Sequence, residues 1–447
     1  MKIKRVFYSV LAAVFVMTGC AFAGAPPIAP ADSRAELSAT SGLASEIQLS
    51  PAPAASQPAP APINADAEAP RPGYKGNGTV TYAKNDRLLT DAQEKLLGDY
   101  MNTYYTSLAL LDTQSFSGLF ADKADKRAAS DLALLKAVVG VRKMQRTNLS
   151  LSKYSFELVV QSAEKREDGD LRVRVLENST QNFRVSPGVN SKSYNISHSF
   201  VLTKTGTSWR ISEHNLAGSL NRLVMGLGKW QPGSSAPASA IPSDINARLK
   251  TFLADSRANV AARGTRGRAA KEVAVDHGYD RSAAVDYAEE WVNTRNPEWP
   301  VYDRLGGNCQ NYASQAILAG GIPMDYTSPG QWKWYGGTPN ASFAAAGRSP
   351  AWSGVSEFLS YVQNNKGRGM VAAADAPYYS GEPGDIIIMG VKGDWRHTVV
   401  ITKALKDSAG KTVDYLIDSN TSNLRDFPAS AYYYTEQMLI KIYGWND

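Results

Sequence analysis

The pattern of hydrophobic and polar positions predicts that ordered structure begins near Thr79. Between Asp91 and Leu111 hydrophobic residues recur at spacings of three and four residues, which is typical of a helix with one buried face. The residues on that face are Leu96, Leu97, Tyr100, Met101, Tyr104, Leu108 and Leu111. The stretch from Ala128 to Arg146 predicts a second helix.

The period of the pattern then changes to two, which predicts β-strands. Apolar and polar residues alternate around Phe156 and again around Val173, and the turn sequence Glu167-Asp-Gly-Asp170 between these runs predicts a hairpin. A longer alternating run contains His198, and a last one contains Trp209 and Ile211. The sequence therefore predicts two helices followed by an antiparallel meander.

This order of elements resembles the nuclear transport factor 2-like fold, a cone-shaped α+β domain. The resemblance rests on the pattern and on the closing sequence Trp209-x-Ile211-x-x-His214. In that fold the cone either holds a ligand or serves as a scaffold. His198 is expected inside the cone, and because the sequence shows no acid partner for it, we favour the scaffold.

Helical periodicity returns from Ile245 to Ala262 and from Ser282 to Thr294. Farther along, Ile386 to Met389 predicts a buried strand, His397 opens a second strand, and Tyr415 to Asn420 predicts a third. The second half of the chain is thus also expected to have an α+β fold.

The first residues have the composition of an export signal. Basic residues precede a short apolar run from Val6 to Met17, which is too short for a stable membrane anchor. Cleavage follows either a lipoprotein box ending at Cys20, which would then carry a lipid anchor, or the sequence Ala21-Phe22-Ala23. We therefore expect an extracytoplasmic protein, secreted or lipid-anchored at the cell envelope, without a transmembrane span after processing.

Composition divides the 447 residues further. A stretch rich in Ala, Pro and Ser lacks the apolar content to fold, and a second such stretch predicts a linker. The expected order is an export signal (1–23), a tether (24–78), the nuclear transport factor 2-like domain (79–225), a linker (226–243) and a C-terminal domain (244–447). The formal net charge of +6 is mild, and no basic run interleaved with aromatic residues predicts nucleic-acid binding.

Cys309 is the residue that most needs an explanation. Processing at either site removes Cys20 as a disulfide partner, and an unpaired thiol in an exported protein is either a chance core residue or a reactive group. Gly306 and Gly307 predict a tight turn, and Asn308 predicts an N-cap. Cys309 then lies in the first turn of a helix, where the helix dipole favours the thiolate and unpaired N–H groups can hold an oxyanion.

A base for this thiol is available in His397. Of the four histidines, it is the one placed in a predicted strand of the C-terminal domain, the domain that contains Cys309. Asp418 and Asn420 lie on one face of the next strand, since side chains repeat every two residues, and either could orient the imidazole. We choose Asn420, with Asp418 as its rival. One thiol and one histidine do not form a zinc site, so we expect no metal and no cofactor.

These segments resemble the bacterial putative amidase domain family in their order along the chain. The resemblance covers roughly Ser282 to Trp445 and rests on the helix-borne Gly-Gly-Asn-Cys-Gln-Asn-Tyr motif, then Gly-Asp-Ile-Ile, Asp-Trp-Arg-His-Thr-Val-Val-Ile-Thr and Ser-Asn-Thr. It implies a papain-like domain, in which a helix that carries the cysteine packs on an antiparallel sheet. Family members commonly have Asp-Cys-Thr-Asn-Phe around the cysteine, and they often have His at the position of Asn420.

The resemblance also implies a function. We expect an exported cysteine amidase or peptidase with the catalytic residues Cys309, His397 and Asn420, and with Asn308 and Trp395 as substrate-binding residues. The expected substrate is a peptide or peptidoglycan-type amide of the cell wall. The alternatives are a papain-like acyltransferase with the same dyad and a non-catalytic wall-binding module.

Overall fold

The computed structural model of the chain describes residues 73–84, 86–216, 243–267, 273–303, 307–327, 331–334, 336 and 348–447. The predicted export signal, nearly all of the predicted tether and the predicted linker up to residue 242 lie outside these residues. None of the described helices is both long and apolar enough to cross a membrane.

The helices described between Asp91 and Trp291 begin and end close to where the three- and four-residue periodicity predicts, and the helix at Cys309 begins where its turn and N-cap residues predict. The two helices between Pro350 and Asn364 were not predicted. Within the described ranges the helices are α1 (Asp91–Leu110), α2 (Asp125–Lys143), α3 (Ile245–Arg263), α4 (Arg281–Trp291), α5 (Cys309–Ala319), α6 (Pro350–Ser353) and α7 (Val355–Asn364). Short 3₁₀ helices cover Asp122–Ala124, Tyr378–Ser380 and Ala429–Ala431. Helix α1 buries the predicted face, on which Leu97, Met101 and Leu108 are almost fully enclosed.

The strands form one sheet, which has twelve strands in the described part of the chain. They are β1 (Lys75–Tyr82), β2 (Leu151–Lys165), β3 (Leu171–Phe183), β4 (Ser191–Thr205), β5 (Ser208–Leu216), β6 (His277–Gly278), β7 (Gly369–Ala376), β8 (Ile386–Val391), β9 (Asp394–Lys406), β10 (Thr412–Ser419), β11 (Leu424–Pro428) and β12 (Glu436–Asn446). The order across the sheet is β1-β2-β3-β4-β11-β10-β9-β8-β12-β6, while β5 pairs with β4 and β7 pairs with β12. All pairs are antiparallel except β1 with β2. The predicted α+β class is therefore confirmed.

Strand β1 begins inside the segment that the sequence predicts as tether. Its first half contains glycines and no large apolar residue, so the alternation that predicts strands is missing. The glycines have a packing reason. A Cβ atom at Gly76 would lie 2.2 Å from the ring of Tyr154, and one at Gly78 would lie 2.0 Å from the ring of Phe156. Two aromatic rings of β2 thus lie over the bare backbone of β1.

The two predicted domains are joined through β4 and β11. Leu424 pairs with Ser193 and Arg425 pairs with Lys192, so the strands of the N-terminal and C-terminal parts continue in a single sheet. The rings of Phe183 and Phe427 meet edge to face across this junction, with centroids 5.1 Å apart. One apolar cluster runs from α1 through the junction to β8–β10. The domain boundaries near residues 225 and 244 stay a prediction.

Strands β8–β10 are buried on both faces. Ile387, Val399 and Ile417 face the core that they share with the N-terminal part. Ile386, Ile388 and Val400 alternate with these residues and face a second core, which contains Cys309 and residues of α5, α6 and α7. The position of a residue in the two-residue repeat of these strands therefore decides which core its side chain enters.

The shared core predicts that Phe427→Ala destabilises the whole described assembly. Phe427 is 5% exposed, and removing a buried phenyl ring costs about 3–5 kcal/mol. Urea unfolding followed by circular dichroism and by tryptophan fluorescence should give one transition, shifted to lower urea by both probes. Leu88→Ala is the control, because Leu88 is exposed and its removal should change stability by less than about 0.5 kcal/mol. Two separate transitions, of which only one moves in Phe427→Ala, would contradict the shared core.

Candidate active site at the start of helix α5

Cys309 is the first residue of α5, as predicted. Gly307 precedes the helix with a φ of 129°, a backbone angle that favours glycine. Gly320 and Gly321 end the helix. Cys309 is 6% exposed and belongs to the core on the α5 face of the sheet.

Asn308 does not cap the helix with its side chain, although it occupies the N-cap position. Its Oδ1 instead accepts hydrogen bonds from Tyr302 N at 3.1 Å and Asn311 Nδ2 at 2.9 Å. Its Nδ2 donates to Asn420 Oδ1 at 2.7 Å, and its backbone N donates to Thr421 Oγ1 at 3.1 Å. Asn308 therefore fixes the start of α5 to the end of β10. Its predicted contact with substrate stays a prediction.

Asn420 uses both ends of its amide in this connection. Besides accepting from Asn308, it donates from Nδ2 to the backbone oxygens of Trp291 at 2.6 Å and Thr294 at 2.9 Å. These oxygens lie at the end of α4, so one side chain ties α4, α5 and β10 together. The structure thus brings Asn420 to Asn308 and not to the ring of His397. The catalytic role predicted for Asn420 stays a prediction.

His397 points to the face of the sheet opposite α5. It pairs with Met389 of β8, whose side chain lies in the shared core. The next residue, Thr398, points to the other face and donates to Gln310 Oε1 of α5 at 2.8 Å. The structure therefore places the predicted nucleophile and the predicted base near the same end of the sheet but on different faces.

Two hydroxyl groups contact the imidazole of His397. Its Nε2 lies 3.0 Å from Ser419 Oγ and 2.8 Å from Tyr432 OH. Ser419 Oγ donates its own proton to the backbone oxygen of Thr421 at 2.8 Å. Ser419 can then accept from the imidazole, whereas Tyr432 OH can either accept from Nε2–H or donate to an Nε2 lone pair. With Ser419 as the acceptor, the proton lies on Nε2 and the lone pair on Nδ1. Burial lowers the pKa of His397 to about 3, which keeps the ring neutral at physiological pH.

Asp418 lies on the α5 face, next to Val400 of β9. Its Oδ1 accepts from Asp426 N at 2.8 Å, whereas Oδ2 is buried without a hydrogen-bond partner among the described residues. Burial raises the pKa of Asp418 to about 8. Burial also raises the pKa of Tyr312 in α5, and the charge of Asp418 adds to that effect. Asp418 therefore lies on the face of the sheet that packs against α5, and it does not contact the imidazole of His397.

Trp395 is half-buried and packs against the core that contains Cys309. Ser356 of α7 donates to its backbone oxygen at 3.4 Å. Trp395 therefore lies on the same face of the sheet as Cys309. Its predicted role in substrate binding stays a prediction.

No group of three His, Cys, Asp or Glu side chains in the described part of the chain could hold a metal ion.

Sequence reasoning did not find Ser419 or Tyr432, the two residues that hold the imidazole. The two-residue repeat places Asp418 and Asn420 on one face of β10, but it does not say which face of β10 turns toward His397. That face is set by the register between β9 and β10, in which Ile401 pairs with Ile417. Tyr432 follows a 3₁₀ helix, and no periodic pattern predicts the direction of its side chain.

The raised pKa of Asp418 predicts a pH-dependent stability. In the folded protein the pKa of Asp418 is about 8, above the ordinary value of 3.8. Between these two pH values the folded protein therefore binds more protons than the unfolded chain. The free energy of unfolding then falls as the pH rises through this window. Asp418→Asn does not titrate, so the difference between its free energy of unfolding and that of wild type should grow by about 3 kcal/mol from about pH 6 to about pH 9. Urea unfolding at both pH values measures this gain. Asp286→Asn is the control, because Asp286 is exposed and the variant's stability should depend on pH as that of wild type does. The same pH dependence of stability in wild type and Asp418→Asn would contradict the raised pKa of Asp418.

Comparison with known proteins agrees with the motifs around this site. Residues 278–443 match the profile of the putative amidase domain family. Over 126 residues the chain is 32% identical to the "Uncharacterized protein YhbB" of Bacillus subtilis (strain 168), a region that covers 28% of this chain and 37% of that protein. The chain thus spans little more than a third of the length of this relative. The C-terminal part of the chain, from residue 278 to residue 443, is similar to the putative amidase domain family, as its motifs predicted.

Proposed function

We propose that this chain is an exported cysteine hydrolase that cleaves amide bonds, with Cys309 as the nucleophile and His397 as the base. The match of residues 278–443 to a putative amidase domain supports amide hydrolysis. The observation that carries the choice of nucleophile is the position of Cys309 as the first residue of α5. There the helix dipole favours a thiolate and first-turn N–H groups can stabilise an oxyanion.

In the proposed reaction, Nδ1 of His397 takes the thiol proton while the sulfur adds to the carbonyl carbon of the substrate. The tetrahedral intermediate collapses when the imidazolium gives this proton to the leaving amine, which leaves a thioester on Cys309. Water then attacks the thioester, with the imidazole again accepting a proton, and the carboxylic acid and free thiol are released. This scheme uses the Nε2–H tautomer, which Ser419 can accept from because it gives its own proton to Thr421, and which leaves Nδ1 able to accept.

The reaction requires His397 to reach the α5 face of the sheet. A register shift between β8 and β9 lies directly beside His397, where Met389 pairs with His397 but Gly390 pairs with Trp395. Bulges of this kind redirect side chains next to active sites. A slip of one residue at this point turns His397 to the opposite face, toward α5. We propose that the free chain samples this rearrangement and that substrate binding favours it.

The proposed substrate class is the peptide part of the cell wall. Its support is the export signal predicted for residues 1–23 together with the family match in the C-terminal part. An enzyme delivered outside the cytoplasm by such a signal would meet the amide bonds of the wall first. Asn308 and Trp395 are the residues that we propose to contact this substrate.

A second candidate is a non-catalytic module that binds the wall with the same fold. The orientation of His397 favours it, because the imidazole bonds to Ser419 and Tyr432 on the face away from α5. Such a module needs no activated thiol. The two candidates therefore differ in one measurable property, the dependence of Cys309 reactivity on His397.

If His397 activates Cys309, the thiol of the full chain should react with iodoacetamide faster in wild type than in His397→Ala. We expect a rate loss of about a hundredfold, the lower end of the effect of a general base. Mass spectrometry of the Cys309 peptide follows the reaction. His277→Ala is the control, since His277 is exposed and stacks on Trp445. Equal rates in wild type and His397→Ala would instead support the non-catalytic module.

Hydrolysis is tested on purified peptidoglycan, with new amino groups detected chemically and the fragments identified by mass spectrometry. Wild type should release amines, and Cys309→Ala should release none, because no other residue replaces the sulfur in the thioester. Thermal unfolding checks that the variant is folded. Undiminished release by Cys309→Ala would refute the proposed nucleophile.

A further inference from the structure

The N-terminal part contains a cavity of about 190 Å³ between α1, α2 and strands β3 and β4. Most of its wall is apolar, as at Met101, Leu134 and Ile196. Residues of the C-terminal part, among them Phe427 and Tyr432, complete the wall on one side. An apolar cavity of about 150 Å³ is enough to hold benzene, so this one has room for a somewhat larger molecule.

A buried cation lines this cavity. Arg142 of α2 is 4% exposed, and its guanidinium lies 5.0 Å from the ring centre of Phe183 and 5.8 Å from that of Phe427. Nη1 and Nη2 each donate a long hydrogen bond of 3.3 Å to Gln181 Oε1. Nε has no hydrogen-bond partner, and no salt bridge among the described residues includes Arg142.

This environment leaves the positive charge poorly compensated. Burial lowers the pKa of Arg142 only to about 10, so the guanidinium stays charged at physiological pH. Two aromatic faces and one neutral amide oxygen replace part of its hydration, but a buried charge is normally paired with an opposite charge. Its remaining N–H groups are suited to a carboxylate, which binds a guanidinium through two parallel hydrogen bonds.

The acidic groups near the cavity are already engaged. Glu177 Oε2 lies 2.9 Å from His198 Nε2, and Glu177 also accepts from Tyr105. His198 Nδ1 lies 3.1 Å from His214 Nε2, and His214 Nδ1 lies 2.7 Å from Asp131 Oδ2. The sequence showed no acid partner for His198, and the structure supplies one from the neighbouring strand. Both carboxylates bond to imidazoles, and no salt bridge in the described part of the chain joins either of them to Arg142.

These carboxylates also limit what else the cavity accepts. A second negative group on the ligand would meet Glu177 at the cavity wall, where like charges repel strongly in a low-dielectric setting. We propose that the cavity binds a small monocarboxylate with an apolar or aromatic body, whose carboxylate pairs with Arg142. The site is separate from the Cys309 site and makes the N-terminal part a ligand-binding unit as well as a scaffold.

Calorimetric titration of the full chain with benzoate tests the proposal. Benzoate should bind saturably, and benzamide, which has nearly the same shape without the charge, should bind about tenfold more weakly or worse. Phenylacetate and hexanoate extend the series to other apolar bodies. Equal affinity for benzoate and benzamide, or no binding of any of the three carboxylates at millimolar concentration, overturns the proposal.

Arg142→Met then separates charge from shape. The variant keeps the apolar stem, and because it removes a poorly paired buried charge it should fold with at least wild-type stability. It should lose about tenfold or more in benzoate affinity, and benzoate should no longer raise its unfolding temperature. Lys143→Gln, on the exposed side of the same helix, is the matched control and should bind as wild type does. Wild-type affinity in Arg142→Met overturns the assignment, and if this variant does not fold, the benzoate and benzamide comparison decides.

Discussion

The structure depends on the burial of strands β8–β10 on both faces. Side chains that alternate along one strand enter two different cores, one shared with the N-terminal part and one built with α5, α6 and α7. Each position in these strands is therefore assigned to a face by register alone. The same rule that packs Val399 and Val400 into opposite cores sends His397 away from α5 and Thr398 toward it.

A few polar side chains hold the candidate site to this sheet. The amides of Asn308 and Asn420 join the start of α5, the end of α4 and the end of β10. Ser419 and Tyr432 hold the imidazole on the other face. The family match covers this region, whereas the N-terminal part lies outside it and contributes its own cavity.

Much of the local structure could be predicted from the sequence. The spacing of apolar residues predicted helix α1, and apolar runs predicted the strands around His397, because both patterns directly reflect burial. The glycines and Asn308 before Cys309 predicted the start of α5. The spacing of apolar residues missed β1, where Gly76 and Gly78 leave room for the rings of Tyr154 and Phe156 that lie against them. It could not predict the pairing of β4 with β11, since contacts between distant segments leave no periodic signal in either strand. The sequence identified Cys309 and His397 as candidates, but for the same reason it could not give the faces of the sheet on which they lie. Nor could it show that Arg142 has no salt bridge to another described residue.

Tyr432 belongs to both regions at once. Its ring is part of the cavity wall and its hydroxyl lies 2.8 Å from the imidazole of His397. A molecule that displaces this phenol from the cavity side would break its hydrogen bond to the histidine, and occupancy of the cavity would then be thermodynamically linked to the freedom of His397 to turn. Linkage is reciprocal, and a substrate that draws His397 toward α5 would change the affinity of the cavity by the same factor.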